Sequence, residues 1–362
     1  MVATGRAIEG VRGTGSSPPE AAYTAPMRFE TPLFATALAV VAAAAVPATT
    51  SAAPTISAVT TPLVTPVDST RVAGVAVGDG TIVWAENGPA LGDPIALRTN
   101  DANGPRTVAQ LPYTLPQSGP ELEVGRTADG SVVVAVTVRK QEGTTIELVR
   151  LSDGRRVTLP SRLRGGTLRG VGIDRGWIYA TRGTGKFPER GASLWRARIN
   201  GLDVGAYTRI RSATRAETWT RIAADRNRVA VLAGHGVKRD GAFLEETWLA
   251  GTPRGAVVRV GQTYATDGGY EPRLVAGFTR GGREMIMVRN DTYAPSPAKV
   301  QRVPLRGAAK PRTVQVDAPM QSDAAAIAYD GTVDRLMAVG PDAATGTSVL
   351  GTVTAPWDPT GR

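Results

Sequence analysis

The sequence predicts an all-β chain: a six-bladed β-propeller of four-stranded antiparallel blades, closed by an N-terminal strand. Three observations predict it. Asp-Gly and similar turn signals recur about every fifty residues, within the repeat range of propellers. The runs that follow them are rich in β-branched residues, which favour strands. Gly (42) and Pro (26) are abundant while aromatics make up only 5%, a balance suited to strands and turns more than helices.

The clearest repeat is Glu121 to Pro160. Its apolar runs are separated by Asp129-Gly130, Glu142-Gly143 and Asp153-Gly154. Asp-Gly tolerates φ > 0 and closes a tight hairpin. Ser131 to Val138 and Thr145 to Leu151 contain no proline. A meander of about forty residues with four strands is one propeller blade.

Taken in order, residues 1–26 are Gly-, Ser- and Pro-rich and read as disordered, or as an extension upstream of a start at Met27. Residues 27–52 read as a signal peptide: Arg28, an apolar run from Leu33 to Val46, then small residues before Ala53. The run is short for a membrane span, which needs about twenty residues. Export to the cell envelope or outside the cell is therefore expected. Residues 53–362 read as one propeller domain, with blades starting near 70, 120, 166, 217, 271 and 323.

First hairpin turns are expected at Asp79-Gly80, Asp129-Gly130, Asp174-Arg175-Gly176, Asp225-Arg226-Asn227, Arg280-Gly281-Gly282 and Asp330-Gly331. Five repeats end in a fourth strand. The sixth runs out near Ala355-Pro356-Trp357 without one, which would leave an open edge. The segment Ile56 to Val64 is expected to pair with Ser348 to Val353 and close it. This spacing and these loose Asp-Gly turns resemble six-bladed propellers of the TolB-like kind, exported bacterial proteins. The resemblance covers about residues 55–359 and implies a protein-binding scaffold in the envelope; it carries over no catalytic residue.

Composition excludes several chemistries. There is no cysteine, so disulfides, Cys-based zinc and thiol nucleophiles are ruled out. His235 is the single histidine, which rules out multi-histidine metal sites, and it is expected in the loop after the second strand of the fourth blade. No Gly-x-Ser-x-Gly elbow is present. Gly183-Thr184-Gly185-Lys186 lacks the spacing of a phosphate loop, and Asp101 to Gly104 lacks the ligand series of a calcium loop. Trp84, Trp177, Trp195 and Trp248 are expected to fill space between blades. The net charge of +10 comes from basic residues spread along the chain without a run of five. It reads as solubilising charge, with attraction to an anionic polymer as the sharper reading.

One constellation carries a site expectation. Glu121 and Glu217 each lie eight residues before a turn aspartate, Glu271 is one residue from that register, and Arg71 and Ser322 hold the matching places. Equivalent positions in a ring of repeats converge on its axis. Glu121, Glu217, Glu271, Arg71 and Trp219 are therefore the candidate ligand-binding residues, able to hold a polar ligand or a divalent cation, or simply to pair with one another. No catalytic residue and no organic cofactor is expected. The function read from the sequence is a monomeric, non-enzymatic propeller binding an envelope or extracellular protein, with no nucleic-acid partner. The alternatives are a metal-dependent hydrolase or lyase and a binder of anionic cell-wall polymer or lipid.

Overall fold

The computed structural model describes residues 55–354 apart from position 58 and connecting stretches, among them 63–71, 113–120, 267–274, 290–297 and 318–325. The chain divides into two units, Met1–Thr50 and Ser51–Arg362. The expected extension and signal peptide, residues 1–52, lie outside the described residues.

Every described element is a strand. Two short ones, β1 (Thr55–Ser57) and β2 (Val59–Pro62), come first. The first blade contains β3 (Val72–Gly78), β4 (Thr81–Glu86), β5 (Ile95–Asp101) and β6 (Gly104–Leu111). The second contains β7 (Glu121–Arg126), β8 (Val132–Lys140), β9 (Gly143–Arg150) and β10 (Arg156–Thr158). The third is larger: β11 (Arg162–Leu163), β12 (Gly166–Asp174), β13 (Trp177–Gly183), β14 (Ser193–Asn200), β15 (Asp203–Val204) and β16 (Thr208–Ser212). The fourth contains β17 (Thr218–Asp225), β18 (Arg228–Lys238), β19 (Ala242–Gly251) and β20 (Val257–Thr266). The fifth contains β21 (Val275–Phe278), β22 (Glu284–Arg289), β23 (Ala298–Pro304) and β24 (Arg312–Asp317). The last sheet contains β25 (Ala326–Asp330), β26 (Arg335–Pro341) and β27 (Ser348–Thr354).

One strand of each sheet packs beside its counterpart in the next, from β3 through β7, β12, β17 and β21 to β25, which packs back on β3. The protein is thus an all-β propeller of four-stranded antiparallel blades. Six equivalent blades were expected from the repeats. Only five draw four antiparallel strands from one continuous segment; β25 to β27 supply three. The fourth strand of that sheet is β2, antiparallel to β27, with Thr60 opposite Gly351 and Pro62 opposite Val349. The segment before it does more than the sequence suggested. β1 pairs in parallel with β24, placing Ile56 opposite Val316, so the N-terminal stretch covers two neighbouring sheet edges in succession.

The core lies between blades, and this explains the strand sequences. In β8, Val134, Val136 and Val138 enter a cluster with Val83, Ala85 and Leu97 of the first blade. Val133 and Ala135 point the other way, into a cluster with Ile173, Ile178 and Ala180 of the third. A strand buried on both faces needs a continuous apolar run, not alternation. Trp84, Trp195 and Trp248 are buried, as their strand positions predicted, and Trp177 is half-buried.

Glycines set how closely the inner strands approach. A Cβ on Gly78 would stand 2.7 Å from the carbonyl oxygen of Val124 in the next blade; one on Gly125 would stand 2.6 Å from Ile173, and one on Gly172 2.7 Å from Ile222. Turn chemistry links the blades at this same end. The buried Asp174 carboxylate accepts the backbone N–H of Asn227 at 2.7 Å, tying the third blade's first turn to the fourth's. His235 differs from expectation: it lies within β18, opposite Glu245, because that hairpin extends ten residue pairs before opening.

Removing the closing segment tests this architecture. Deletion of residues 53–66 frees the seven residue pairs made by β1 and β2. At about 0.5–1.5 kcal/mol for each hydrogen bond lost, the expected cost is several kcal/mol, read as a large drop in melting temperature. A deletion variant that melts like the intact domain would contradict the closure.

Candidate active site at the inner strands

β7 begins Glu121-Leu122-Glu123-Val124. Side chains alternate along a strand. Leu122 and Val124 enter the core shared with the first blade. Glu121 and Glu123 therefore share the opposite face, towards the third blade.

The group that meets them comes from further round the ring. β17 carries a bulge between Trp219 and Ile222, opposite Ala233 and Val231 of β18. A bulge re-aims the side chains it contains. Arg221 lies in this bulge, and its Nε donates to Glu121 Oε1 at 3.2 Å. β12, between the two, has its own bulge between Leu168 and Val171. Gly170 sits there, where a Cβ would come within 2.3 Å of the carbonyl oxygen of Thr220. The two bulges abut, and only glycine lets the third blade pass close enough for Arg221 to reach the second.

The two carboxyl groups are held differently. Glu121 is ion-paired with Arg221. Glu123 keeps some contact with solvent, but protein surrounds it closely, and loss of hydration pushes its pKa well above the usual carboxylate range. The adjacent Glu121 pushes it in the same direction, while Arg221 pulls it back. An arginine-paired carboxylate beside a carboxyl group whose pKa is raised is the combination acid–base chemistry uses.

The other candidate residues are placed as follows. Glu217 precedes β17 and is buried; Trp219 Nε1 donates to its Oε2 at 3.0 Å, and Arg259 Nη2 lies 3.5 Å from its Oε1. Trp219 fills the core between the third and fourth blades with Tyr179 and Leu194. The same construction occurs in the first blade, where Trp84 Nε1 donates to Glu86 at 2.8 Å and Arg98 pairs with that carboxylate at 2.7 Å. Glu217 thus satisfies a buried indole, whereas Glu121 meets Arg221. Arg71, Glu271 and Ser322 lie outside the described residues. Among the described residues no group of three or more His, Cys, Asp or Glu side chains is gathered in metal-binding geometry. Glu123 and Arg221 were not singled out by the repeat alignment. The signal for Glu123 was present in the sequence, since two acids two residues apart on a strand share a face.

No family model and no curated protein matches the sequence. Solved structures do match in fold. An α-L-arabinofuranosidase from Fusarium graminearum, in complex with an iminosugar inhibitor, superposes with a TM-score of 0.50 and 12% identity, covering 82% of this chain and 96% of that one. An α-L-arabinanase from Penicillium chrysogenum, complexed with arabinobiose, superposes with a TM-score of 0.50 and 11% identity, covering 82% and 98%. Both are similar in fold, and neither is of the TolB-like kind. These neighbours correct the functional expectation. The non-enzymatic scaffold was inferred from fold likeness alone, and the likeness found is to propeller enzymes of the glycoside hydrolase kind.

The raised Glu123 pKa has a consequence for stability. A carboxyl raised on folding keeps its proton where the unfolded chain has lost it. Its contribution is therefore unpenalised below the ordinary Glu value of about 4.3, and stability falls as pH rises from there towards the raised value. Glu123→Gln removes the penalty. The variant is expected to melt above the parent at neutral pH and to converge with it near pH 4. Melting curves that stay parallel across that range would refute the assignment.

Proposed function

We propose that this protein is a hydrolase of glycosidic bonds, with Glu121 and Glu123 as its reacting carboxyl groups. The observation that carries the proposal is their pairing on one strand face, one ion-paired with Arg221 and the other with its pKa raised by burial and by its acidic neighbour. Hydrolysis of a glycoside requires this division of labour. Glu123 gives its proton to the departing glycosidic oxygen as the C–O bond breaks. Glu121 takes a proton from the water that attacks the anomeric carbon. The two proton transfers balance, and no cofactor enters the step. Arg221 orients Glu121 through its Nε contact. The fold neighbours, an arabinofuranosidase and an arabinanase, support the class of bond by analogy. We also infer that the sheet of β25, β26, β27 and β2 is a sixth blade, supported by the packing of β25 between β21 and β3.

The test is a screen of the purified full chain against arabinan, other plant and bacterial polysaccharides and aryl glycosides. Hydrolysis is expected, with activity falling as pH rises past the raised Glu123 value. Glu123→Gln and Glu121→Gln should each lower kcat by about 10²-fold or more while the protein remains folded. Absence of hydrolysis across the panel, or full activity in both variants, would sink the proposal.

A further inference from the structure

The basic residues look evenly spread in sequence, but not when counted by blade. Residues 162–212, the third blade, hold eleven Lys or Arg and three Asp or Glu. One blade therefore carries a net +8 of the chain's +10. Its described arginines are held largely by ring faces and backbone carbonyls. Arg182, for example, donates to the carbonyl oxygens of Leu163 and Arg164 at 2.9 and 3.1 Å. Such contacts fix the cations without neutralising them.

The densest group surrounds Trp177, at the end of the blade opposite the start of β12. Trp177 lies directly across from Arg198 in the β13–β14 ladder, and Arg196 faces Tyr179. The guanidinium carbons of Arg196 and Arg198 lie 4.1 and 4.0 Å from the Trp177 ring centre. One indole thus holds two like charges within about 8 Å of each other. Arg175, in the adjoining turn, is 71% exposed. Arg226 occupies the neighbouring turn of the fourth blade, joined to this one through Asp174 and Asn227. The acids here are Asp174, already accepting from Asn227 and 4.0 Å from Arg175, and Asp225, paired with Arg226. Asp203, across from Asn200, and Asp129, which takes the Gly201 backbone N–H, stand at the adjoining Gly201 turn.

Two of these arginines sit in backbone conformations that non-glycine residues seldom adopt. Among the described residues, non-glycine positions with positive φ are Arg164, Arg175, Arg226 and Asn227. Arg175 (φ 45°) and Arg226 (φ 51°) stand in hairpin positions where glycine or asparagine would relieve the strain. Three of the four strained positions in the whole described chain are arginines, and all lie in or beside the third blade.

We propose that the Trp177 cluster, formed by Arg175, Arg196 and Arg198 with Arg226 beside them, is a docking surface for an anionic polysaccharide. Guanidinium groups presented from one strand and two turns suit a chain with repeated charges better than a single small anion. Single-stranded nucleic acid is disfavoured, because base stacking needs a free aromatic face and that of Trp177 is covered by guanidinium. The surface lies at the other end of the blades from Glu121 and Glu123 and does not depend on hydrolytic activity.

The test is binding of polygalacturonate to the purified full chain, measured by calorimetry at low and moderate salt, with neutral dextran and a mixed-sequence DNA oligonucleotide as comparators. Binding to polygalacturonate alone is expected, weakening steeply between about 50 and 300 mM salt as the Debye length shortens. The triple variant R175Q/R196Q/R198Q should bind at least about tenfold more weakly, the scale expected when a local field is removed. Because Arg196 and Arg198 also pack on Trp177, the single variant Arg175→Glu serves as a check that leaves the stack intact; it too should weaken binding. The control R155Q/R156Q removes two charges from the second blade and should bind like the parent. An equal loss in the control, no loss in either cluster variant, or equal or tighter DNA binding would each overturn the proposal.

Discussion

The close approach of inner strands around the ring is the constraint on which the rest of the structure depends. Strands normally pack through their side chains. Here Gly78, Gly125 and Gly172 bring backbone against the next blade at distances no side chain would permit. The apolar runs of β4, β8 and β13 then fall between blades, where they are covered on both faces. Further from the glycine-bearing strands, the large side chains of Trp84, Trp195 and Trp248 are buried. A ring built this way must also be shut, and the N-terminal segment shuts it non-covalently through β2 while β1 covers the next edge.

The same constraint makes the site. Gly170 allows the bulge of β12 to lie against the bulge of β17, and Arg221 extends from the latter to the second blade. Its partner is Glu121, and the neighbouring Glu123 then faces both a like charge and a shortage of water. Neither carboxyl group would differ from an ordinary surface glutamate on an isolated strand. Their difference arises because three blades converge there. Glu217 shows the contrast: it is a buried carboxylate whose described contacts, Trp219 and Arg259, are those of a structural group.

Much of the fold was legible in the sequence, because hairpin turns and β-branched runs are local signals. Asp129-Gly130 and Asp153-Gly154 close their turns with glycine at positive φ, and the unpaired edge near Ser348 pointed to the N-terminal strand that covers it. The site was legible only in part. Counting back from a turn assumes equal loops and regular strands. Five residues separate Arg126 from Val132, but only two separate Asp225 from Arg228, and β17 then gains a bulge. Those irregularities are set by contacts between blades, which no local pattern records. The repeat alignment therefore found Glu121 but passed over its actual partner, Arg221. The clustering of charge was hidden for a similar reason, since arginines far apart in sequence, such as Arg175 and Arg198, come together only when strands pair.

Carbon-13 NMR titration of the glutamate side-chain carboxyl carbons, in the intact domain and in Arg221→Gln, tests the central claim most directly. The account predicts that one glutamate, assigned to Glu123 by its loss in Glu123→Gln, titrates well above the ordinary range. It also predicts that Glu123 moves higher still in Arg221→Gln, because the cation that lowers it is gone. Titration of Glu123 with the bulk of the glutamates, unmoved by loss of Arg221, would contradict it.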